Sequence, residues 1–464
     1  MASPKPHLNL VVLGHTGAGK STLIGHLLAD LGDVGEETMA KVTRLATEAG
    51  RSDCKYAWLV NHTRGERERG LTIDVHAGHF ETSKYAVNIL DVPGHRDFLK
   101  NMIAGTSEAD GAILLVSAAR GQFKMSMKDD GSGMVPEHAM LAYTFGLSQI
   151  IVCVNKMDDK TVDHSQERFE KVKTSVQKHL RKINYKMEEV PFIPMSAWNG
   201  DNLTEKCANM AWWEGSQVIR TSGKVKVTTL TDAIDAMVIP AGRERRRPLR
   251  IPIRDMFTIK GMTVAIGRVE SGQLKSNTKL LFGPTPGEGT AISIQKNNTP
   301  VECARPRDVI GMVLETNCIN ANRGRHGMYR RGQVCTDEAS EPLKIVKEFI
   351  AQIVVLEHPK GIIHEGYAPI IDIHTSHVQC RIRQFIEKLD RNTGEVIWPR
   401  NPKRLFIGDA ANVRMTPMKP MCAEQFRRFP RLGRFSMRDL SRLVGVLPLH
   451  CAGLSSVWVG DERP

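Results

Sequence analysis

The sequence predicts a mostly parallel, doubly wound α/β domain followed by two β-barrel domains. Three observations carry this. Up to about residue 240, short apolar runs alternate with longer helical patterns, as in a parallel sheet covered by helices. After the charged linker Pro240-Ala-Gly-Arg-Glu-Arg-Arg-Arg247-Pro248, the pattern becomes short alternating strands punctuated by glycine. A glycine-rich turn stands directly after the first apolar run, where a doubly wound sheet places its ligand.

In the first part the expected strands are Leu8–Leu13, Ala86–Leu90, Ala112–Val116, Ile150–Val154 and Phe192–Met195. Helices are expected over Val135–Phe145 and Gln166–Ile183. Beyond the linker, strands fall near Arg250–Arg254, Thr263–Val269 and Lys279–Phe282. A second break near Glu338–Pro342 precedes strands over Phe349–Leu356, Pro369–His374 and Ala410–Met415. The expected domains are therefore 1–241, 242–341 and 342–447. Pro448 is expected to interrupt the last strand, because proline cannot donate to a ladder, and 448–464 to form a loosely attached tail.

The turn reads Gly14-His15-Thr16-Gly17-Ala18-Gly19-Lys20-Ser21, followed by Thr22, and fits the phosphate-loop spacing G-x-x-x-x-G-K-[ST]. Glycines let backbone N–H groups surround phosphate oxygens, and the helix that follows adds its partial positive charge. Lys20 is placed to reach the β- and γ-phosphates, and the Ser21 hydroxyl to ligate magnesium. Asp91-Val-Pro-Gly94 follows the second strand; there a carboxylate holds magnesium, through water, and the Gly94 amide meets the γ-phosphate. Asn155-Lys156-Met157-Asp158 follows another strand. A carboxylate at Asp158 accepts from both N1–H and the exocyclic amine of guanine, a pattern adenine lacks. Ser196-Ala197, with Trp198 beside it, is expected to offer a backbone N–H to guanine O6. Between these motifs, Thr72 in Gly65-Glu-Arg-Glu-Arg-Gly-Leu-Thr-Ile-Asp74 can complete a magnesium shell and release it after hydrolysis. The charged run Glu66–Arg69 can equally be an ordinary solvated loop. Together the motifs make the first part an α/β P-loop GTPase domain that binds GTP/GDP with Mg2+.

The chain has 464 residues, enough for two to four domains, and 41% apolar with 25% charged residues is the composition of a folded protein. A formal charge of +13 favours a polyanionic partner such as RNA or an acidic protein surface. Nine dispersed cysteines without a CxxC pair argue for reduced thiols in the cytoplasm and against a disulfide framework or zinc site. No run approaches 18 apolar residues and no signal segment is evident, so a membrane role is not expected.

The stretches GHTGAGKS, KYAW (55–58), GERERGLTID (65–74), DVPGHRDFLKNMI (91–103), EHAMLAYTFG (137–146), NKMD and LGRFSMRDL (432–440) resemble eukaryotic translation elongation factor 1-alpha, over about residues 7 to 446. The resemblance implies a monomeric cytoplasmic GTPase that delivers aminoacyl-tRNA to the ribosome and is recharged by a guanine-nucleotide exchange factor. It implies that His95 orients the attacking water, and that Lys100 and Asn101 approach the tRNA 5′ end. In Phe426–Arg438, Phe435 and Met437 alternate with Arg434, Ser436 and Arg438, so one face is expected to be buried and the other to grip phosphates or to form a solvated edge.

Four departures stand out. Gly17 replaces an acidic residue of the resembling family, which implies slower hydrolysis. Arg307, in Pro306-Arg-Asp308, stands where glycine is usual, and Asn297-Asn-Thr-Pro300 replaces paired histidines. Thr316–Arg331 is long and basic, an expected hairpin loop. The tail lacks a lysine-rich end. The departures motivate a diverged paralogue acting on RNA, actin or another polyanionic surface, and a release- or rescue-type GTPase is a further reading that keeps the same fold.

Overall fold

A computed structural model describes residues 5–32, 34–128, 133–239, 243–259, 262–297, 299–315, 331–356, 358, 360–391, 393–398, 401–439 and 442–448. The chain forms two units, Met1–Pro240 and Ala241–Pro464.

In the first unit the strands of the main sheet are β1 (His7–Leu13), β2 (His76–Glu81), β3 (Ala86–Asp91), β4 (Gly111–Ser117), β5 (Ile150–Asn155) and β6 (Phe192–Pro194), and Ser216–Arg220 pairs with Gly223–Val227 in a separate hairpin. The helices are α1 (Lys20–Leu31), α2 (Glu36–Glu48), α3 (Ala57–Val60), α4 (Arg64–Arg69), α5 (Leu99–Ser107), α6 (Arg120–Ser126), α7 (Met134–Thr144), α8 (Gln166–Lys182) and α9 (Leu230–Asp235). The sheet order is β2-β3-β1-β4-β5-β6, with only β2 antiparallel. The parallel strands are runs of Val, Ile and Leu because helices cover both faces, and every residue of β4 and β5 is buried. Helix α8 shows the covering pattern: Phe169, Val172, Val176 and Leu180 lie buried on one face, and Ser165 caps its start. The loops after β1, β3, β5 and β6 consequently emerge at the carboxyl edge of one sheet.

The second unit holds the two expected barrels. In the first, strands Thr278–Gly283, Val334–Asp337, Ile251–Ile259, Met262–Arg268, Val309–Glu315 and Gly287–Lys296 pair in that order, and the last pairs with the first to close a six-stranded ring. In the second, Ile370–Ile373, Arg434–Asp439, Arg442–Pro448, Phe349–Val355, Ala410–Pro417 and Ser376–Leu389 close in the same way. The barrels share a buried polar seam. Arg250, fully buried, donates to Glu424 at 2.8 Å and Thr336 at 3.1 Å, and its guanidinium lies 5.0 Å from the Phe429 ring centre. Glu270 meets His374 Nε2 at 2.9 Å.

Several expectations change. Pro448 ends the last strand instead of interrupting it: it pairs with Arg434 in register, while the neighbouring strand reaches only Gly445 and Val446, so its missing N–H leaves no ladder bond unmade there. The expected arginine face of Arg434–Asp439 is largely withdrawn from solvent: only Arg434 stays half-buried, its guanidinium 4.9 Å from the Phe426 ring centre. Ser436 is buried, and Arg438 is 9% exposed and donates through Nε to the buried Asp372 at 2.7 Å. A strand paired on both sides inside a closed barrel has no solvated edge. Arg307 does enter the left-handed region (φ 80°), a cost of about 1 kcal/mol, held by its N–H on Val269 O and by Asp308 capping the Arg305 N–H. The loop over 316–330 and the tail over 449–464 lie outside the described residues. Among the described residues no helix is long and apolar enough to cross a membrane.

Candidate functional site

The phosphate loop is tight on its inner side. A Cβ at Gly14 (φ 147°) would lie 2.3 Å from the Leu115 carbonyl oxygen, and one at Gly19 (φ 97°) 2.5 Å from Asn155 Nδ2. These glycines are dictated by the neighbouring strands as much as by any ligand. The Gly14 N–H donates to His138 Nδ1 at 3.0 Å, which makes Gly14 a support of the loop. Burial, with Lys20 and His15 nearby, holds the His138 imidazole well below its ordinary pKa, so it stays a neutral acceptor. His138 escapes motif reading because its role depends on α7 packing beside β1; the only signal is a histidine on an otherwise apolar helical face.

The loop borders a cavity of about 450 Å³. Thr16, Gly17, Gly19, Lys20, Ser21 and Thr22 line one side, and Thr72, Gly94 and His95 another. Asn155, Lys156, Asp158, Ala197 and Trp198 complete it. His15, Ala18, Asp91 and Ser196 sit behind this surface.

Lys20 is 6% exposed and donates to the Gly14 and His15 carbonyls at 3.0 and 3.3 Å. Burial lowers its pKa to about 8 despite Asp91. Beside it three oxygens converge. Ser21 Oγ donates to Asp91 Oδ2 at 2.6 Å and lies 2.9 Å from Thr72 Oγ1, which is 3.4 Å from the same carboxylate oxygen. Asp91 is fully buried, its Oδ1 has no partner, and burial raises its pKa against Ser21 and Lys20. Two hydroxyls around an under-satisfied buried carboxylate are an oxygen set that suits a hard divalent cation such as magnesium.

On the base side, Asn155 acts as a tie. Its Nδ2 donates to Ala18 O at 2.8 Å, and its Oδ1 accepts from the Ala197 N–H at 2.8 Å. The Ser196 N–H donates to Asp201 O. Both amides expected to face guanine O6 are therefore engaged within the protein, because the loop after β6 must be anchored to the one after β5. His26 stacks on Tyr56 at 4.1 Å, Tyr56 meets Trp198 edge-on at 5.6 Å, and Lys55 Nζ lies over both rings. This cluster stands beside the base end of the cavity, where Trp198 lines it, and accounts for two residues of the KYAW stretch, Lys55 and Tyr56.

The run Glu66–Arg69 is a helix, α4, and Glu66 is 1% exposed. Its carboxylate accepts from the Ile73 and Asp74 N–H groups at 2.9 and 3.3 Å, from Thr63 Oγ1 at 2.8 Å and from His76 Nε2 at 2.9 Å. Burial alone would raise its pKa; the Ile73 amide, His76, Thr63 and Asp74 together bring it down to about 2. Glu66 thus closes the loop that carries Thr72. Glu66→Ala should destabilise the protein by about 2–4 kcal/mol, since several donors lose their acceptor. Denaturant titration reads that loss, and GDP affinity should change far less than GTP affinity.

His95 is exposed at the cavity rim and accepts the Asp97 N–H at 3.3 Å through Nδ1. Lys100 is exposed on α5. Asn101 turns inward: its Nδ2 donates to Ile73 O at 2.9 Å and Asp74 Oδ1 at 3.2 Å, because the Thr72 loop passes beside α5. The structure therefore separates Asn101 from Lys100 and gives it to the loop.

A phosphate loop, a carboxylate–hydroxyl set and an Asn-Lys-x-Asp edge on one parallel sheet define a P-loop GTPase. Residues 5–240 match the elongation factor Tu GTP-binding domain and residues 348–446 the GTP-eEF1A C-terminal domain-like family. The chain belongs to the translational GTPase family. It shares its fold with the S. cerevisiae Ski7 GTPase-like domain solved with GTP, at 15% identity over 97% of this chain and 98% of that one, with a TM-score of 0.75. Translation elongation factor SelB from Methanococcus maripaludis, solved with a GTP analogue, matches at 18% identity over 97% and 81%, with a TM-score of 0.64. Sup35 solved with GDP is 26% identical over 96% and 94%, with a TM-score of 0.41. The protein binds guanine nucleotide and is a GTPase.

Proposed function

We propose that the protein is an elongation-type factor that carries aminoacyl-tRNA to the ribosome in its GTP form and leaves in its GDP form. The observation that carries this reading is the convergence of Ser21, Thr72 and Asp91 beside Lys20, with Thr72 on a loop that Glu66 closes. Lys20 exchanges two carbonyl acceptors for phosphate oxygens. Asp158 accepts from guanine N1–H and N2–H, and the Trp198 amide, next after the engaged pair, donates to O6. Ser21, Thr72 and Asp91 are the residues that would hold magnesium, which when bound would supply positive charge against the β- and γ-phosphates. Once the γ-phosphate is gone, Thr72 loses its reason to stay, and the loop is released. His95, exposed at the rim, orients the attacking water. Partners in this reading are aminoacyl-tRNA, the ribosome and an exchange factor, and the setting is the cytoplasm. The charge of +13 and the eEF1A-like match over residues 348–446 support it.

Two observations favour a second reading, a release- or rescue-type factor or a diverged paralogue acting on a surface other than tRNA. Asn101 is tied to the Thr72 loop, and Arg438 is buried on Asp372, so two groups expected to face RNA are engaged. Filter binding of aminoacylated and deacylated tRNA, each with GTP and with GDP, separates these. Elongation predicts retention of aminoacylated tRNA with GTP alone; indifference to both variables overturns it.

Gly17 is a further test. At φ 76° its Cβ would meet nothing within 4 Å, so Gly17→Asp costs only about 1 kcal/mol of backbone strain. Single-turnover assays should show faster GTP hydrolysis in this variant, with GDP affinity held within about fivefold by that small strain.

A further inference from the structure

Behind the nucleotide cavity lies a second one, of about 430 Å³, on the outer side of α4. We infer that this cleft binds a phosphate group and that its occupancy steadies the GTP-bound position of Thr72. Its rim carries Arg51, Arg64 and Arg67 against one carboxylate, Glu68, a surplus of two positive charges. His62, also on the rim, adds none, because burial, His76 and Arg67 lower its pKa.

The guanidinium groups of Arg51 and Arg67 are held by carbonyls, which position them without neutralising them. Arg51 Nη1 donates to the Arg67 and Glu68 carbonyls at 3.0 and 3.1 Å. Arg67 Nε donates to Asn61 O at 2.8 Å, and its Nη2 to Trp58 O at 3.2 Å. Each guanidinium has five N–H donors, so Arg51 keeps Nε and Nη2, and Arg67 keeps Nη1. Arg64 has a side chain 91% exposed and bonded to Glu68 at 2.6 Å, so it can swing to a ligand. A phosphate dianion matches a surplus of two charges and offers oxygens to several forks at once; a carboxylate would neutralise half of it.

Two links connect the cleft to the switch. Trp58 lines both cavities. The carbonyls that Arg51 holds, those of Arg67 and Glu68, lie in the last turn of α4, just ahead of Gly70-Leu71-Thr72. An anion that fixes Arg51 and Arg67 therefore fixes the end of α4 and, through it, Thr72. This coupling rests on the switch reading above; the binding does not.

The test uses full-length protein loaded with GDP or a non-hydrolysable GTP analogue and magnesium, so the phosphate loop is filled. Loading itself, read with a fluorescent guanine nucleotide, tests the nucleotide reading separately. Calorimetric titration with inorganic pyrophosphate at fixed free magnesium, and with a short single-stranded RNA, asks whether the phosphate comes from a small molecule or a strand. Saturable binding of either supports the cleft. Arg64→Glu should weaken it about tenfold, by reversing a charge-assisted contact. Glu68→Gln should tighten it about two- to fivefold by removing the opposing charge, a gain that misfolding cannot produce. Each variant is read on protein whose loading has been verified, because pyrophosphate would otherwise enter the open phosphate loop. Ligand should also slow release of the GTP analogue more than release of GDP. No binding of either probe, or binding that neither variant changes, overturns the site; binding without a change in release overturns the coupling.

Discussion

Asp158→Asn should turn a guanine site into one that accepts xanthine. The carboxylate at the cavity edge is proposed to accept from N1–H and the exocyclic amine. An amide accepts only one of them and points its own N–H at the other. One charged bond is lost and a buried donor is left facing a donor, a loss of about 3–5 kcal/mol, or about 10²- to 10⁴-fold in GTP affinity. Xanthine carries an oxygen where guanine carries that amine, so xanthosine triphosphate should bind the variant better than GTP does. Competition binding of GTP against xanthosine triphosphate reads the swap. A uniform loss for both would place Asp158 outside the base site.

Lys20→Met should have opposite effects on binding and on stability. In the ligand-free protein the ammonium is buried against two carbonyls, and its fall from 10.5 to about 8 corresponds to about 3 kcal/mol of unfavourable burial at neutral pH. A methionine of similar length removes that cost, so the melting temperature of the ligand-free variant should rise. Nucleotide triphosphate binding should fall about a thousandfold or more, because a charge-assisted contact to two phosphates disappears. Unchanged stability with lost binding would mean that Lys20 leaves its carbonyls before nucleotide arrives.

The sheet was legible because β1, β3, β4, β5 and β6 are buried on both faces and so read as near-continuous apolar runs, interrupted only by Asn9 in β1 and Asn88 in β3. Strand β2, His76–Glu81, was not legible: it lies at the edge, and of its residues only Phe80 is fully buried. Helix α4 was hidden for a related reason. Its charged run suits solvent, and nothing local says that Glu66 points inward; that depends on Ile73, Asp74 and His76 arriving from beyond a turn. The site motifs were legible as a set because phosphate, metal and base each demand fixed residue types after a strand. What spacing cannot show is which amides the fold consumes first, as with Ala197 on Asn155, or that Arg438 reaches Asp372 on the adjacent strand of its barrel. Alternation names two faces of a strand, and tertiary packing decides which of them is wet.

The central claim is that the GTP state, and not the GDP state, holds an aminoacylated tRNA. Its most direct measurement is the half-life of the aminoacyl ester bond at mildly alkaline pH, with protein in excess. With GTP the bond should be protected and its half-life lengthened several-fold; with GDP it should decay as free aminoacyl-tRNA does. An equal half-life with GTP, with GDP and without protein would contradict the elongation reading.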